Sequence, residues 1–286
     1  MSYKTILLYV DASPHLALRI KALAKMATQA HAHLIGTAVT GISRSLHRRT
    51  ISAHGSPQVA PDKADYLQTP WTCANVALDK FEALMDECGV TSYEKRLIDD
   101  DAAAAISMQG LYADLIVLGQ SDPGTFSLTA RVDFPEYVIL NSECPVLILP
   151  FMPPPVGNGS IGERVLIAWN GSLAASRAVK NAMPFLRQAS SVQLAIIQPT
   201  IQPHLDYEES GAEIAAYLER HQIEVEIVRR TVVADAGHTL LALASELNAD
   251  MLVMGCVAHP RWRGVLLGGT TRVVLEEATV AVLMSH

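Results

Sequence analysis

Asp114-Leu115-Ile116-Val117-Leu118-Gly119 and Asp250-Met251-Leu252-Val253-Met254-Gly255 are one pattern written twice in this chain. The same spacing carries Pro145-Val146-Leu147-Ile148 onto Ala281-Val282-Leu283-Met284. An acidic residue, a short apolar run and a closing glycine describe a strand buried on both faces and ended by a turn. Outward from these anchors, Thr5-Ile6-Leu7-Leu8-Tyr9-Val10 is β-prone, Leu16, Ile20, Leu23 and Ala27 stand at helical spacing, and His33 to Val39 is a second β run. Strand, helix, strand predicts a βαβ unit with a right-handed crossover, and so a mainly parallel sheet. Val165-Leu166-Ile167-Ala168-Trp169-Asn170-Gly171-Ser172 restarts the pattern of Ile6 to Ser13.

The rest of each half fits the same scheme. A helix is expected from about Lys63 to Glu87, broken or kinked at Pro70. Tyr93 to Ile98 reads as a strand, and Asp101 as the cap of a helix over 102–112. In the second half, strands are expected over 192–197, 225–232, 251–254 and 280–284. Helices are expected over 173–188, 209–222, 239–248 and about 271–277. Residues 40–62, polar and rich in Gly, Pro and Ser, predict a long loop. Phe151-Met152-Pro153-Pro154-Pro155-Val156-Gly157-Asn158-Gly159-Ser160 predicts a linker, stiffened by its prolines and released by its glycines. The expected organisation is a first domain over 1–150, a Pro/Gly linker over 151–163 and a second domain over 164–286. Each domain is an α/β unit with an open five-stranded parallel sheet and helices on both faces.

The 286 residues suffice for two domains with their own cores. A net charge of −7 argues against a dedicated nucleic-acid binder, which needs a clustered positive surface. The one basic cluster, Arg44-Ser45-Leu46-His47-Arg48-Arg49, is short and reads as a solvated loop. Cys73, Cys88, Cys144 and Cys256 form no CxxC pair or zinc pattern, so small buried thiols in a reducing compartment are expected, with Cys256 set apart by following Gly255 in a loop. No apolar run approaches the ~20 residues of a membrane span, and a cytoplasmic protein is the expectation.

Three features together resemble the universal stress protein family in its tandem form, over both halves and all but the linker. An Asp or Asn follows the first strand, as Asp11-Ala12-Ser13 and Asn170-Gly171-Ser172. A buried strand ends in glycine, as Leu252-Val253-Met254-Gly255. A glycine-rich stretch, Leu267-Gly268-Gly269-Thr270-Thr271-Arg272, precedes a short helix and the terminal run Val280 to Met284. The resemblance implies two flavodoxin-like, Rossmann-like domains. It also implies that the last strands, 146–149 and 280–284, pair antiparallel, so that the chain is an intramolecular pseudo-dimer of its two halves. Two such chains associating as a homodimer is a further expectation.

ATP-binding members of that family carry Gly-x2-Gly-x9-Gly-(Ser/Thr). Here the second half reads Gly255-x2-Ala258-x9-Gly268-Gly269, followed by Thr270 and Thr271, and the first half reads Gly119-x2-Asp122-x9-Val132-Asp133. Glycine lets backbone N–H groups approach phosphate oxygens closely and permits positive φ. A helix beginning near Thr270 adds its N-terminal dipole. Val132 adds bulk, and Asp122 and Asp133 add like charge, so the first half is not expected to bind ATP in this manner. The second half is expected to hold ATP or another adenine nucleotide, at Asn170, Gly255, Ala258, His259, Arg261, Gly268, Gly269, Thr270 and Thr271. Each has an ordinary alternative. Asp11 and Asn170 also suit helix capping, His259 and Arg261 suit an exposed loop, and Gly268 and Gly269 suit a tight turn.

The Asp99-Asp100-Asp101 run reads as an acidic helix start, and His31 with His33 lacks further ligands, so no metal site is expected. No nucleophile elbow, Walker motif or Rossmann GxGxxG occurs, and nothing assigns a general base or nucleophile. The resulting expectation is a stress-response binding or regulatory protein with a nucleotide in its second domain only. The alternatives are a nucleotide-free interaction protein and a slow ATP hydrolase.

Overall fold

The computed structural model describes residues 2–41, 61–120, 134–151, 161–198, 207–232, 235–256, 258–261 and 264–286. Most of the loop expected over 40–62, with its basic cluster, lies outside them, as do Asp122, Val132, Asp133 and the linker residues 152–160. Two compact units emerge. The N-terminal unit is Lys4–Glu143, and the C-terminal unit joins Met1–Tyr3 to Cys144–His286.

The N-terminal unit contains β1 (Thr5–Tyr9), α1 (Leu16–Ala30), β2 (His33–Val39), α2 (Pro61–Glu87), β3 (Tyr93–Ile98), α3 (Ala102–Gly110), β4 (Leu115–Gly119) and α4 (Phe134–Asn141). Its strands pair in parallel in the order β3-β2-β1-β4. The strands β1 and β4 carry uninterrupted apolar runs and are buried on both faces. The edge strand β3 reads YEKRLI and is half-exposed, and its charges discourage pairing with another chain.

The C-terminal unit contains β5 (Val146–Leu149), β6 (Arg164–Trp169), α5 (Leu173–Leu186), β7 (Ser191–Gln198), α6 (Tyr207–Arg220), β8 (Glu226–Thr231), α7 (Ala236–Glu246) and β9 (Met251–Gly255). A hairpin of β10 (Ala258–Arg261) and β11 (Gly264–Leu267) follows, then α8 (Gly269–Glu277) and β12 (Ala281–Ser285). The order of its main sheet is β5-β12-β9-β6-β7-β8. All pairs are parallel except β5 with β12, which run antiparallel with Leu283 opposite Leu147. The α/β class, the parallel sheets and this one antiparallel pairing agree with the sequence. By chain order each half supplies five main-sheet strands, yet β5, from the first half, belongs to the C-terminal unit.

The repeated aspartates have the same task in both units. Asp114 accepts hydrogen bonds from the backbone N–H groups of Lys4 (2.7 Å) and Thr5 (2.9 Å). Asp250 accepts from those of Gly162 (2.8 Å) and Arg164 (2.9 Å). Each carboxylate pins the entry of the strand beside its own. Burial pushes the Asp250 carboxyl up from its ordinary value, against the backbone donors that favour its charge.

Two local expectations need correction. The helix α2 runs from Pro61 to Glu87 with Pro70 inside it, rather than breaking there. The stretch after Gly255, expected as a loop, forms the β10-β11 hairpin with His259 opposite Leu266 and Arg261 opposite Gly264.

Candidate functional site

In an open parallel sheet, ligands sit beyond the carboxyl ends of the strands, where successive connections depart in opposite directions. In the C-terminal unit that point lies between β6, whose connection leads to β7, and β9, which is paired on its other side with β12. Asn170 follows the end of β6 and Gly255 ends β9, with Ala168 and Met254 level in the register. These two predicted residues therefore flank one crevice.

The turn after β6 is built for approach. Gly171 holds φ +71°, a left-handed backbone that glycine adopts without cost. The exposed Asn170 accepts through Oδ1 from the N–H of Ser172 (3.1 Å), closing an Asx turn. The capping expected of Asn170 falls instead to Ser172, whose Oγ accepts from the N–H of Ala175 (3.1 Å). Asp11 likewise accepts from Ser13 N–H (3.0 Å), and the N-cap of α1 is His15, which makes no side-chain cap.

Gly255 has a packing reason of its own. A Cβ there would lie 2.3 Å from the backbone nitrogen of Ala175 and 2.5 Å from the carbonyl carbon of Ala174. Its absence lets the first turn of α5 sit on the end of β9. The next residue, Cys256, is fully buried, and its N–H donates to Ser285 O (2.8 Å) while its carbonyl faces His286 Nδ1 (3.0 Å). The thiol expected in a loop is therefore a packed core residue.

The glycine turn behaves differently. Gly268 is the N-cap of α8 with φ −60° and ψ 150°, and no side chain caps the helix. The first i to i−4 bond of α8 runs from Arg272 N–H to Gly268 O (3.2 Å), so the N–H groups of Gly269, Thr270 and Thr271 precede the intrahelical ladder. A Cβ on Gly269 would meet no atom within 4 Å. Neither glycine is held at positive φ, contrary to one reason expected for them; what their lack of side chains leaves is open approach to the helix start. Thr271 is buried, while Thr270 is partly exposed. Arg272 pairs with Glu276 along the helix surface (2.8 Å). Ala258 stands in a strand, an extended backbone that any residue adopts, so its replacement of a glycine brings no left-handed strain.

The N-terminal unit fills the corresponding place with its own side chain. Arg19, on the core-facing stripe of α1, is 5 % exposed and makes two contacts with the Asp11 carboxylate, 2.6 and 3.1 Å. A Cβ on Gly119 would lie 2.2 Å from its Nη1. Sequence reading missed this residue. The available signal was a charge at an apolar helical position between Leu16 and Ile20.

Near the far end of α8, His238 lies between Asp235 and Glu277, with Nε2 3.3 Å from the Glu277 carboxylate and Nδ1 on Asp235. The hydrogen bond to Asp235 raises the His238 pKa above its ordinary value and lowers that of Asp235. Among the described residues no group of three or more His, Cys, Asp or Glu side chains could hold a metal, and no helix is long and apolar enough to cross a membrane.

Residues 162–286 match the model of the Universal stress protein family. No curated protein sequence matches the chain. Among solved structures, a universal stress protein from Archaeoglobus fulgidus DSM 4304 is 18% identical with a TM-score of 0.72, over 98% of this chain and 97% of that one. A functionally unknown protein from Pseudomonas aeruginosa PAO1 is 17% identical with a TM-score of 0.62, over 99% and 92%. Both share the fold over essentially the whole length. A universal stress protein in complex with cAMP covers 52% of this chain at 19% identity, with a TM-score of 0.35.

Proposed function

We propose that the C-terminal unit binds ATP or another adenine nucleotide in the crevice between β6 and β9, as a binding or regulatory protein of the stress response. The observation that carries this reading is the start of α8. Three N–H groups precede the helical ladder there, no side chain caps them, and Gly269 leaves their approach open. A helix N-terminus with unclaimed donors favours an anion through both its hydrogen bonds and its dipole. Thr270 and Thr271 offer hydroxyls beside those donors, and the hairpin strand β10 carries His259 and Arg261 in its sequence. Asn170 would take the ribose or base side, as a neutral hydrogen-bonding partner. The family match over 162–286 supports assigning the site to this half.

On the same reading the first half is a second domain of that family without a working phosphate turn, and the chain is an intramolecular pseudo-dimer of its two halves. The reading assigns no chemistry, because no nucleophile and general base are identified at the crevice. The experiment is a thermal shift of the full chain with millimolar ATP. A ligand at 100 times its Kd stabilises by about 2.7 kcal/mol, an easily measured rise. Gly268→Val should abolish the rise by placing a branched side chain at the turn, and Gly269→Ser should preserve or enlarge it. Absence of any shift in the unsubstituted chain leaves the nucleotide-free interaction protein as the reading.

A further inference from the structure

The two units treat the same crevice in opposite ways. In the C-terminal unit, Ala178 stands eight residues after Asn170, as Arg19 does after Asp11. The alanine is fully buried and reaches nothing polar. The arginine crosses to the turn after β1, takes both oxygens of Asp11, and lies where any side chain on Gly119 would stand. A guanidinium and a carboxylate joined by two hydrogen bonds form a geometrically specific pair. Here the arginine side chain is almost wholly buried while Asp11 keeps one quarter of its surface in solvent. One partner therefore belongs to the core and the other to the crevice mouth.

We propose that Arg19 is a resident substitute for a ligand. Its guanidinium occupies the crevice beyond β1 and β4, Asp11 is the receptor that holds it, and the N-terminal unit is thereby closed to small molecules from within. The site's chemistry is selective for a planar guanidinium cation, since Asp11 presents two acceptors to a two-pronged donor. This proposal rests on the N-terminal unit alone and holds whether or not the C-terminal unit takes a nucleotide.

The test uses the full chain and the probe ethylguanidinium at low millimolar concentration, with ethylammonium as the control cation. Arg19→Ala removes the resident group and leaves Asp11 unpaired. It should melt lower by roughly 5–10 °C, the range expected for breaking a largely buried pair. Ethylguanidinium should then restore a few degrees in a saturable manner. Ethylammonium should restore much less, and the unsubstituted chain and Arg19→Ala with Asp11→Asn should gain nothing from either cation. Unchanged melting of Arg19→Ala, or equal recovery in the double variant, overturns the proposal. If Arg19→Ala does not fold, Asp11→Ala decides. That variant leaves the arginine bare and should gain saturable stabilisation from acetate, and no gain overturns the proposal.

Discussion

Gly255 and Gly269 look alike in the sequence and are opposites in space. At Gly255 an added Cβ meets the backbone of α5 at 2.3 Å, and backbone cannot swing aside. Gly255→Ala should therefore cost about 1–3 kcal/mol, read from chemical denaturation. Gly269→Ser meets open space and should stay within about 0.5 kcal/mol of the parent. Equal losses in the two variants would refute the distinction. His238 supplies the pH dependence. Its folded pKa is raised, chiefly by the hydrogen bond to Asp235, so its contribution to stability is fully present below the ordinary histidine value and is lost as pH rises through the folded one. The stability gap between the parent and His238→Gln should be larger at acidic than at alkaline pH. The pKa of His238, followed by NMR, should fall in Asp235→Asn. A gap that does not vary with pH would refute this. The residue-scale roles were only partly legible beforehand. Pattern located Asn170 and Gly255 at strand ends, whereas the Arg19–Asp11 pair is a contact made by folding that no local spacing encodes.

The elements most visible in the sequence were those whose periodicity and caps agree. The helical spacing of Leu16, Ile20, Leu23 and Ala27 is regular, and all four lie on the buried side of α1. Asp101 caps α3 as expected, accepting from Ala104 N–H (3.2 Å). Two elements escaped for opposite reasons. At Pro70 a local preference against helix yields to the surrounding structure, since Ala74, Leu78, Phe81 and Met85 bury one side of α2. Pro70→Ala should restore the backbone donor and raise stability by up to about 3 kcal/mol, and a loss of stability would contradict a continuous helix there. The β10-β11 hairpin was hidden because its strands are only four residues each, too short for alternation to show. For α5, Ser172→Ala should lower stability by about 1 kcal/mol, whereas Asn170→Ala should cost less, because Asn170 closes the preceding turn and leaves the helix N–H groups to Ser172. Reversal of that ranking would return the capping role to Asn170.

For the molecule as a whole, the paired strands β5 and β12 matter most. The edges at β3 and β8 are studded with charge, whereas β12 is an apolar run that depends on β5 for its outer neighbour. A fragment over 161–286, which leaves β12 without β5, should therefore self-associate in sedimentation, and monomeric behaviour of that fragment would show that the apolar edge needs no cover. The fold class was legible because the duplicated anchors carry strong periodicity. The division between the units was not, because a four-residue strand does not announce which sheet it joins.

That division has a consequence for biosynthesis. The C-terminal unit includes the first residues of the chain, with Tyr3 donating to Asn181 O (2.5 Å) and packing its ring at a tilt against Phe185. Lys4–Glu143 is contiguous and can complete its sheet as soon as it leaves the ribosome. Tyr3 and β5, made early, must wait for α5 and β12, made late. Throughout translation of residues 150–280, β5 therefore lacks its partner β12, and this interval is when the nascent protein is most exposed to mispairing with another copy of itself.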